Sequence, residues 1–381
     1  MTPDPPHFLF VICQHGAEDA LKSEVARQWP AFRFAFSRPG FVTFKMGTGQ
    51  QPEGLDLHAT FARTSGISLG KVQGSNANLM SNELWSRLDN CDFDQLHVWQ
   101  RDSCLPGERG FEPGVTPLAQ EIGQVIAERC PADRPLPVNE IAGRGQRVLD
   151  CVLVEPTEWW FGCHLVNSRV SRWPGGVPST TRTDMISRSY LKMQEALHWS
   201  KLPISRQETC VEIGSAPGGG TQALLQQGLQ VIGIDPAEMD PSLLKNPSFT
   251  HVRKRPMDIR RREFRGVKWL VADSNVAPAH TLDSVESIVT DRNVNIRGLI
   301  LTLKLIDWQL ADNISHYVDR VRGWGFSYVK TRQLAFNRLE FCLVALRSRS
   351  QRRKISRPSR LSFTDGRLRV QGEKREAEPP Q

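Results

Sequence analysis

One stretch constrains this chain more than any other: Val211-Glu212-Ile213-Gly214-Ser215-Ala216-Pro217-Gly218-Gly219-Gly220-Thr221. The apolar run from Cys210 to Ile213 is short and bounded by glycine, which predicts a buried strand. A helix is predicted from Thr221 to Gln227. A second strand is predicted from Val231 to Ile234, ending in Asp235. Strand, glycine-rich turn, helix and strand make half of a βαβ unit, with a carboxylate at the tip of its second strand. Glycines let backbone N–H groups approach a ligand closely, and the acid can accept hydrogen bonds from a ribose diol.

A dinucleotide fold shows G-x-G-x-x-G, with pyrophosphate on the helix N-terminus. Ala216-Pro217 interrupts that spacing here. The Pro-Gly-Gly turn suits a ligand without phosphates, such as S-adenosylmethionine. The plain alternative is a tight turn that holds nothing.

Strand–helix alternation continues on both sides of this motif. A helix is predicted over Arg188–Trp199, with strands at Lys268–Ala272, Gly298–Lys304, Tyr328–Gln333 and Phe341–Leu346. That order predicts an α/β fold with a doubly wound, mostly parallel sheet. The last two strands, separated by Leu334–Glu340, fit a hairpin at its edge. Before the motif, the pattern is a strand (Phe8–Ile12), a helix (Ala17–Trp29) and a strand (Gly40–Met46). Then come a polar joint (Gly47–Gly54), a strand (Gln95–Gln100) and a helix (Pro117–Glu128). A hairpin closes the series, Arg147–Glu155 with Trp159–Val166, and a Pro/Gly-rich linker follows from Ser171 to Pro178. The expected division is 1–50, 51–170, 171–348 and a basic tail over 349–381, with smaller α+β domains ahead of the parallel sheet.

The chain has 381 residues, 39% of them hydrophobic, enough for two or three cores. No stretch reads as a membrane span, and Met1–Pro6 does not open a secretory signal. The eight cysteines form no C-x-x-C and sit largely in apolar runs, so reduced, buried thiols are expected, with no metal and a cytoplasmic location. The net charge is +8 and very uneven. From Arg347 to Gln381 there are eleven Lys/Arg against four Asp/Glu, a net +7. Such a tail is either an arm for a polyanion or a solvated terminus. A second cluster lies inside the folded part: Arg253, Lys254, Arg255, Arg260, Arg261, Arg262, Arg265 and Lys268, relieved only by Asp258 and Glu263. It can grip phosphates or form a solvated face.

Four further residues fall at strand ends or just inside an adjoining helix. Lys192 follows Ser187-Arg188-Ser189-Tyr190-Leu191. Asp273 ends Trp269-Leu270-Val271-Ala272, and Lys304 ends Leu299-Ile300-Leu301-Thr302-Leu303. Glu340 opens the last strand. In a doubly wound sheet the carboxyl ends of the strands form the ligand crevice, so two lysines and two acids can converge there. A ribose 2′-hydroxyl is a poor nucleophile. A lysine held neutral beside another cation can take its proton, while the acids orient the lysines.

These motifs identify a family. The segment from Ser187 to Arg347 resembles the FtsJ-type RNA ribose 2′-O-methyltransferases. Its likeness is closest to the branch that methylates cytidine in bacterial 23S rRNA. The matching residues are Ser187-Arg188-Ser189-Tyr190-Leu191-Lys192, Ala216-Pro217-Gly218-Gly219, Asp235, Asp258, Asp273, Leu303-Lys304-Leu305 and Glu340. The resemblance implies a Rossmann-like class I methyltransferase domain using S-adenosylmethionine. It implies Lys304 as proton acceptor, assisted by Lys192, Asp273 and Glu340. It implies cofactor contacts from Ser189, Gly214, Ala216, Pro217, Gly218, Gly219, Asp235 (ribose), Asp258 (adenine edge) and Asp273. It implies an RNA partner, 23S rRNA or a large-subunit precursor, with no membrane and no obligatory protein partner. Residues 1–50 are similar to the ferredoxin-like segment of that branch, and 51–170 to a divergent THUMP-like RNA-binding region.

Two positions depart from the family. Gly220 stands where an aromatic usually follows Pro-Gly-Gly, and Ile306-Asp307-Trp308 replaces a Pro-then-basic run. Both leave two rival readings open: the same chemistry on a tRNA or cap-like end, and a catalytically silent RNA-binding homologue.

Overall fold

The computed structural model describes residues 7–47, 55, 57–88, 92–131, 136–179, 184–347, 360–364 and 367–371. The joint at 48–54, the N-terminal residues 1–6 and most of the basic tail lie outside them. The chain divides into two compact units. The first holds Met1–Thr181, Asp307–Asp312 and Thr331–Phe341, and the second holds Arg182–Ile306, Asn313–Lys330 and Cys342–Gln381.

In the first unit the elements run β1 (Phe8–Ile12), α1 (Glu18–Gln28), β2 (Arg33–Arg38), β3 (Phe41–Lys45), β4 (Thr64–Gln73), α2 (Ala77–Ser86), β5 (Gln95–Gln100), α3 (Pro117–Ala127), β6 (Arg147–Glu155) and β7 (Glu158–Leu165). One seven-stranded sheet joins them in the order β2-β3-β1-β4-β7-β6-β5. Among the described residues of this sheet, β5 and β6 run parallel and the other neighbours antiparallel. The expected division at 50/51 therefore does not separate two sheets, because β1 pairs with both β3 and β4.

Three elements escaped the sequence reading. Strand β4 carries Gly66 and Gly70, which read as loop. Strand β2 is largely exposed, although Phe34 and Phe36 alternate along it. Helix α2 is short, but its start signal is clear: the Asn76 side chain accepts from Asn78 N and Leu79 N. Helix α3 is capped in the same manner by Thr116, with Pro117 at its first position. Helices α2 and α3 share a buried cluster with the sheet, including Leu84, Ile122, Ile126, Leu96, Leu149 and Trp159.

The Pro/Gly segment expected as a linker is instead interior. Trp173, Pro174, Gly175 and Gly176 are buried, and a side chain at Gly176 would meet the Arg63 carbonyl carbon at 2.8 Å. The buried Arg332 donates to the carbonyls of Arg63 (3.1 Å) and Gly176 (2.8 Å). The composition that signals a turn also permits close backbone packing, and here packing wins.

The second unit begins with α4 (Ser189–Ser200), β8 (Thr209–Ile213), α5 (Gly219–Gln226), β9 (Gln230–Ile234), α6 (Pro241–Leu244) and β10 (Phe249–Val252). It continues with β11 (Trp269–Asp273), α7 (Pro278–Val289), β12 (Gly298–Lys304), α8 (Ile314–Gly323), β13 (Tyr328–Arg332) and β14 (Glu340–Leu346). The sheet order is β10-β9-β8-β11-β12-β14-β13, and the first five strands are parallel neighbours. This is the expected doubly wound α/β architecture. The chain builds outward from β8 to β10, then returns to the other side of β8 for β11, so the topological switch lies between β8 and β11. Strands β13 and β14 are neighbours at the far edge, as expected; residues 331–341 count with the first unit.

Within the basic tail, read from the sequence as an arm or a solvated terminus, β15 (Arg360–Thr364) and β16 (Arg367–Gln371) pair antiparallel. Among the described residues no helix is long and apolar enough to cross a membrane.

A buried ion pair anchors the first unit. Arg63 grips Asp102 bidentately at 2.9 and 2.7 Å, and both are almost fully buried. Removing one partner strands the other charge in the interior. Asp102→Ala is therefore expected to destabilise the chain by roughly 3–5 kcal/mol in urea unfolding. A loss below about 1 kcal/mol, the range of a surface pair, would show that the pair is not an anchor.

Candidate active site

The parallel register brings five strand ends to one edge: Ile213, Ile234, Val252, Asp273 and Lys304 close β8, β9, β10, β11 and β12. At the switch point the turn after β8 runs hard against the end of β11. Gly214 has φ +75°, and a Cβ there would stand 2.6 Å from the Asp273 carbonyl oxygen. Gly218 has φ +123°, and a side chain on it would run into Leu243. Both positions therefore require glycine, for conformation and for space. The Ala216–Pro217 peptide is cis.

The turn is braced by the acid at the tip of β9. Asp235 Oδ2 accepts Ala216 N at 3.1 Å, and Oδ1 accepts Ala237 N at 2.8 Å. Each oxygen keeps a second lone pair, and the residue is half-buried. A carboxylate so held can receive a ribose diol without reorganising. The open glycine turn and this fixed acceptor are the features that fit S-adenosylmethionine.

Beside the turn, three groups meet at one oxygen. Lys192 Nζ lies 2.9 Å from Asp273 Oδ2, and Ser189 Oγ donates to the same atom at 3.3 Å. Ser189 and Lys192 sit one turn apart on α4, which places both on one face. The Lys192 and Asp273 side chains are only 11% and 13% exposed. Asp273 pairs in register with Thr302 of β12, and Lys304 comes two residues later on the same side of that strand. The structure thus joins Lys192, Ser189 and Asp273 directly and sets Lys304 at the adjoining strand end. Glu340 is buried at the start of β14, the neighbour of β12. Its Oε1 accepts Asn337 Nδ2 at 3.0 Å, and it counts with the first unit. Asp258 is exposed on the short turn that follows β10.

Sequence reading missed Glu212. It is 2% exposed in the middle of β8 and accepts a hydrogen bond from Thr221 Oγ1. Burial pushes its carboxyl up to about 8; the Thr221 hydrogen bond opposes this, and the negative Asp273 and Asp235 add to it. The available signal was an acid inside an otherwise apolar strand. Glu212 also explains one departure from the family pattern. A Cβ on Gly220 would collide with Glu212 Oε1, so this chain has no room for an aromatic there. The other departure is structural too: Asp307 Oδ1 accepts Gln309 N at 2.7 Å, and the Trp308 ring packs edge-on against Phe61 at 5.8 Å, all within the first unit.

The basic cluster is mostly solvent-facing. Arg253, Lys254, Arg255, Arg260, Arg262 and Arg265 are exposed, while Arg261 donates to the carbonyls of Pro256 and Ile259.

Known proteins resemble this part of the chain. Residues 185–349 match the FtsJ-like methyltransferase family. This part of the chain is similar to the S-adenosylmethionine-dependent methyltransferase domains of that family. Three relatives carry the name ribosomal RNA large subunit methyltransferase M. The protein of Halorhodospira halophila is 26% identical over 359 residues, spanning 90% of this chain and 97% of that one. That of Xylella fastidiosa is 30% identical, over 52% of this chain and 53% of its own. That of Azotobacter vinelandii is 30% identical, over 39% and 43% respectively.

Glu212 gives the domain a pH dependence whose sign can be fixed. Unfolded, the carboxyl ionises near its ordinary 4.5; folded, near 8. Between those values the folded form holds the extra proton, so stability falls as pH rises through the window and is level outside it. In urea unfolding, Glu212→Gln is expected to lose less stability between pH 5 and 8 than the parent. Identical slopes for the two proteins would mean that Glu212 ionises normally.

Proposed function

We propose that the chain is a cytoplasmic S-adenosylmethionine-dependent RNA ribose 2′-O-methyltransferase acting on large-subunit (23S) rRNA, with Lys304 as the proton acceptor. The observation that carries this reading is the Lys192–Asp273 pair beside the glycine turn, with Lys304 at the end of the next strand. The relative from Halorhodospira halophila, aligned over nearly its whole length, supports the choice of RNA.

The cofactor supplies a methyl group activated by its sulfonium. Gly214, Ala216, Pro217, Gly218 and Gly219 shape the turn against it. Asp235 takes the ribose diol, Asp258 the adenine edge, and Ser189 and Asp273 complete the contacts. Held there, S-adenosylmethionine would supply the methyl group for the substrate 2′ oxygen, and Lys304 Nζ would accept the hydroxyl proton. Lys192, held by Asp273, places a second cation beside the nucleophile, and Glu340 orients the pair of lysines. Alignment of oxygen, carbon and sulfur supplies much of the rate, because the methyl is already electrophilic. The first unit, with its divergent THUMP-like region, selects the RNA, while the exposed arginines from 253 to 265 and the tail from 349 hold phosphates.

Lys304→Ala is expected to keep cofactor affinity and to lose methyl transfer by at least about 10²-fold, the contribution of a positioned base. Lys304→Arg is expected to be equally inactive, since a guanidinium stays protonated. Transfer of tritiated methyl to rRNA at the parental rate by either variant would remove Lys304 from the mechanism. Asp235→Ala is expected to weaken S-adenosylmethionine binding by roughly 1–3 kcal/mol in calorimetry. Tighter binding of NAD than of S-adenosylmethionine would overturn the cofactor assignment.

RNA binding is checked by salt titration. Reversing the charge of Arg260 and Arg262 is expected to lower affinity and to flatten the dependence of log K on log[salt] by roughly 0.7 per lost contact on single strands. An unchanged slope would return this cluster to a solvated face.

A further inference from the structure

Three polar side chains meet inside the first unit, although no metal is expected from the sequence. His97 on β5 pairs across the sheet with Asp150 on β6. His164 on β7 lies two residues beyond Gly162, the partner of Asp150 in that ladder. Strand alternation puts all three on one face. One donor atom of each lies within 4.8 Å of the other two. His97 is fully buried, Asp150 is 1% exposed and His164 9%.

Hydrogen bonding fixes the state of both rings. His97 Nε2 lies 2.9 Å from the Glu140 carbonyl oxygen, and His164 Nε2 lies 2.7 Å from that of Ser171. A carbonyl only accepts, so each Nε2 carries a proton and Nδ1 is the atom each ring turns toward Asp150. Metal-binding histidines are held in this way, with the far nitrogen donating to a backbone carbonyl. His97 Nδ1 and Asp150 Oδ1 are buried without a hydrogen-bond partner. His164 Nδ1 and Asp150 Oδ2 stand 2.6 Å apart. With a neutral ring and an ionised carboxylate both would be acceptors, so a proton lies between them.

The surroundings keep the donors available. Burial lowers His97 to about 4, outweighing the attraction of Asp150, and leaves its lone pair unprotonated at neutral pH. Val148, opposite His164 in the ladder, belongs to a buried apolar cluster with Ala142 and Val166. Buried acceptors with too few donors call for a cation or an unseen water.

We propose that His97, Asp150 and His164 bind a divalent transition ion of the zinc type, which replaces the proton between His164 and Asp150 and satisfies His97 Nδ1. Two imidazoles and one carboxylate suit zinc, whereas calcium and magnesium demand more oxygen ligands. Zinc bonds of about 2.0–2.1 Å to nitrogen set donor atoms roughly 3.4 Å apart, so the His164–Asp150 pair at 2.6 Å must open around the ion while separations of up to 4.8 Å close. Bound there, the ion clips β5, β6 and β7 together, along with the segments that carry the Glu140 and Ser171 carbonyls. Binding releases the shared proton and strengthens as pH rises.

The test uses the full chain, free of any histidine tag and stripped with a chelator. Zinc chloride is titrated by calorimetry in two buffers of different ionisation enthalpy, and cobalt(II) is followed by visible absorption. The expected results are one zinc per chain, about one proton released, and cobalt bands without thiolate charge transfer. His97→Gln and Asp150→Asn are each expected to weaken zinc by more than the 10–100-fold seen when an outer partner of a ligand is lost. A far-UV circular dichroism spectrum and a cooperative urea transition, retained in both variants, report that they fold. If they do not fold, the wild-type stoichiometry and cobalt spectrum decide. No zinc bound at micromolar concentrations, thiolate bands in the cobalt complex, or undiminished zinc binding by folded variants would each overturn the proposal.

Discussion

The close approach of Gly214 to the end of β11 is the constraint on which the methyltransferase domain rests. At the switch point the β8 turn passes so near the Asp273 carbonyl that no side chain fits between them. That contact fixes where Asp273 lies, and Asp273 in turn fixes Lys192 and Ser189 on α4. The backbone of the turn is held from its other side by Asp235. One glycine therefore links the cofactor turn to the group of charged residues, and the chemistry inherits its geometry from a packing requirement.

Negative charge gathers at this edge and is handled in three different ways. Asp273 is paired with a lysine, Asp235 accepts two backbone N–H groups, and Glu212 is pushed toward its neutral form by burial and by the other two acids. Three ionised carboxylates so close would repel one another and a cofactor carboxylate alike. Keeping one protonated lowers that repulsion, and its hydrogen bond to Thr221 ties β8 to the first turns of α5. Gly220 belongs to the same arrangement, since any side chain there would displace the Glu212 carboxyl.

The first unit holds its irregular segments by a different means. Buried charged groups act on backbone atoms: Glu24 accepts Thr60 N and Phe61 N, and Arg332 reaches the carbonyls of Arg63 and Gly176. Loops that lack a hydrogen-bond ladder of their own must find partners elsewhere when they are buried. Here those partners come from residues far away in the chain.

The sequence by itself determined the second unit well. Every strand from β8 to β14 except β10 was legible, because parallel strands buried on both faces read as continuous apolar runs. The glycine turn, Asp235, Lys192, Asp273 and Lys304 were singled out by their places at strand and helix ends. Much of the rest was decided by tertiary structure. Strands β2 and β4 are exposed or glycine-rich and carry only short alternations, and they exist because β1 and β3 offer edges to pair with. Glu212 looked like one more strand residue until burial and two neighbouring acids set its protonation. The segment from Ser171 to Pro178 has the composition of a linker, yet it is interior, because glycine allows close packing as readily as it allows a turn. His97, Asp150 and His164 are scattered along the sequence, and only the pairing of β5, β6 and β7 sets them face to face. Local pattern reports what a residue can do; which neighbours it meets depends on long-range pairing that no window of sequence contains.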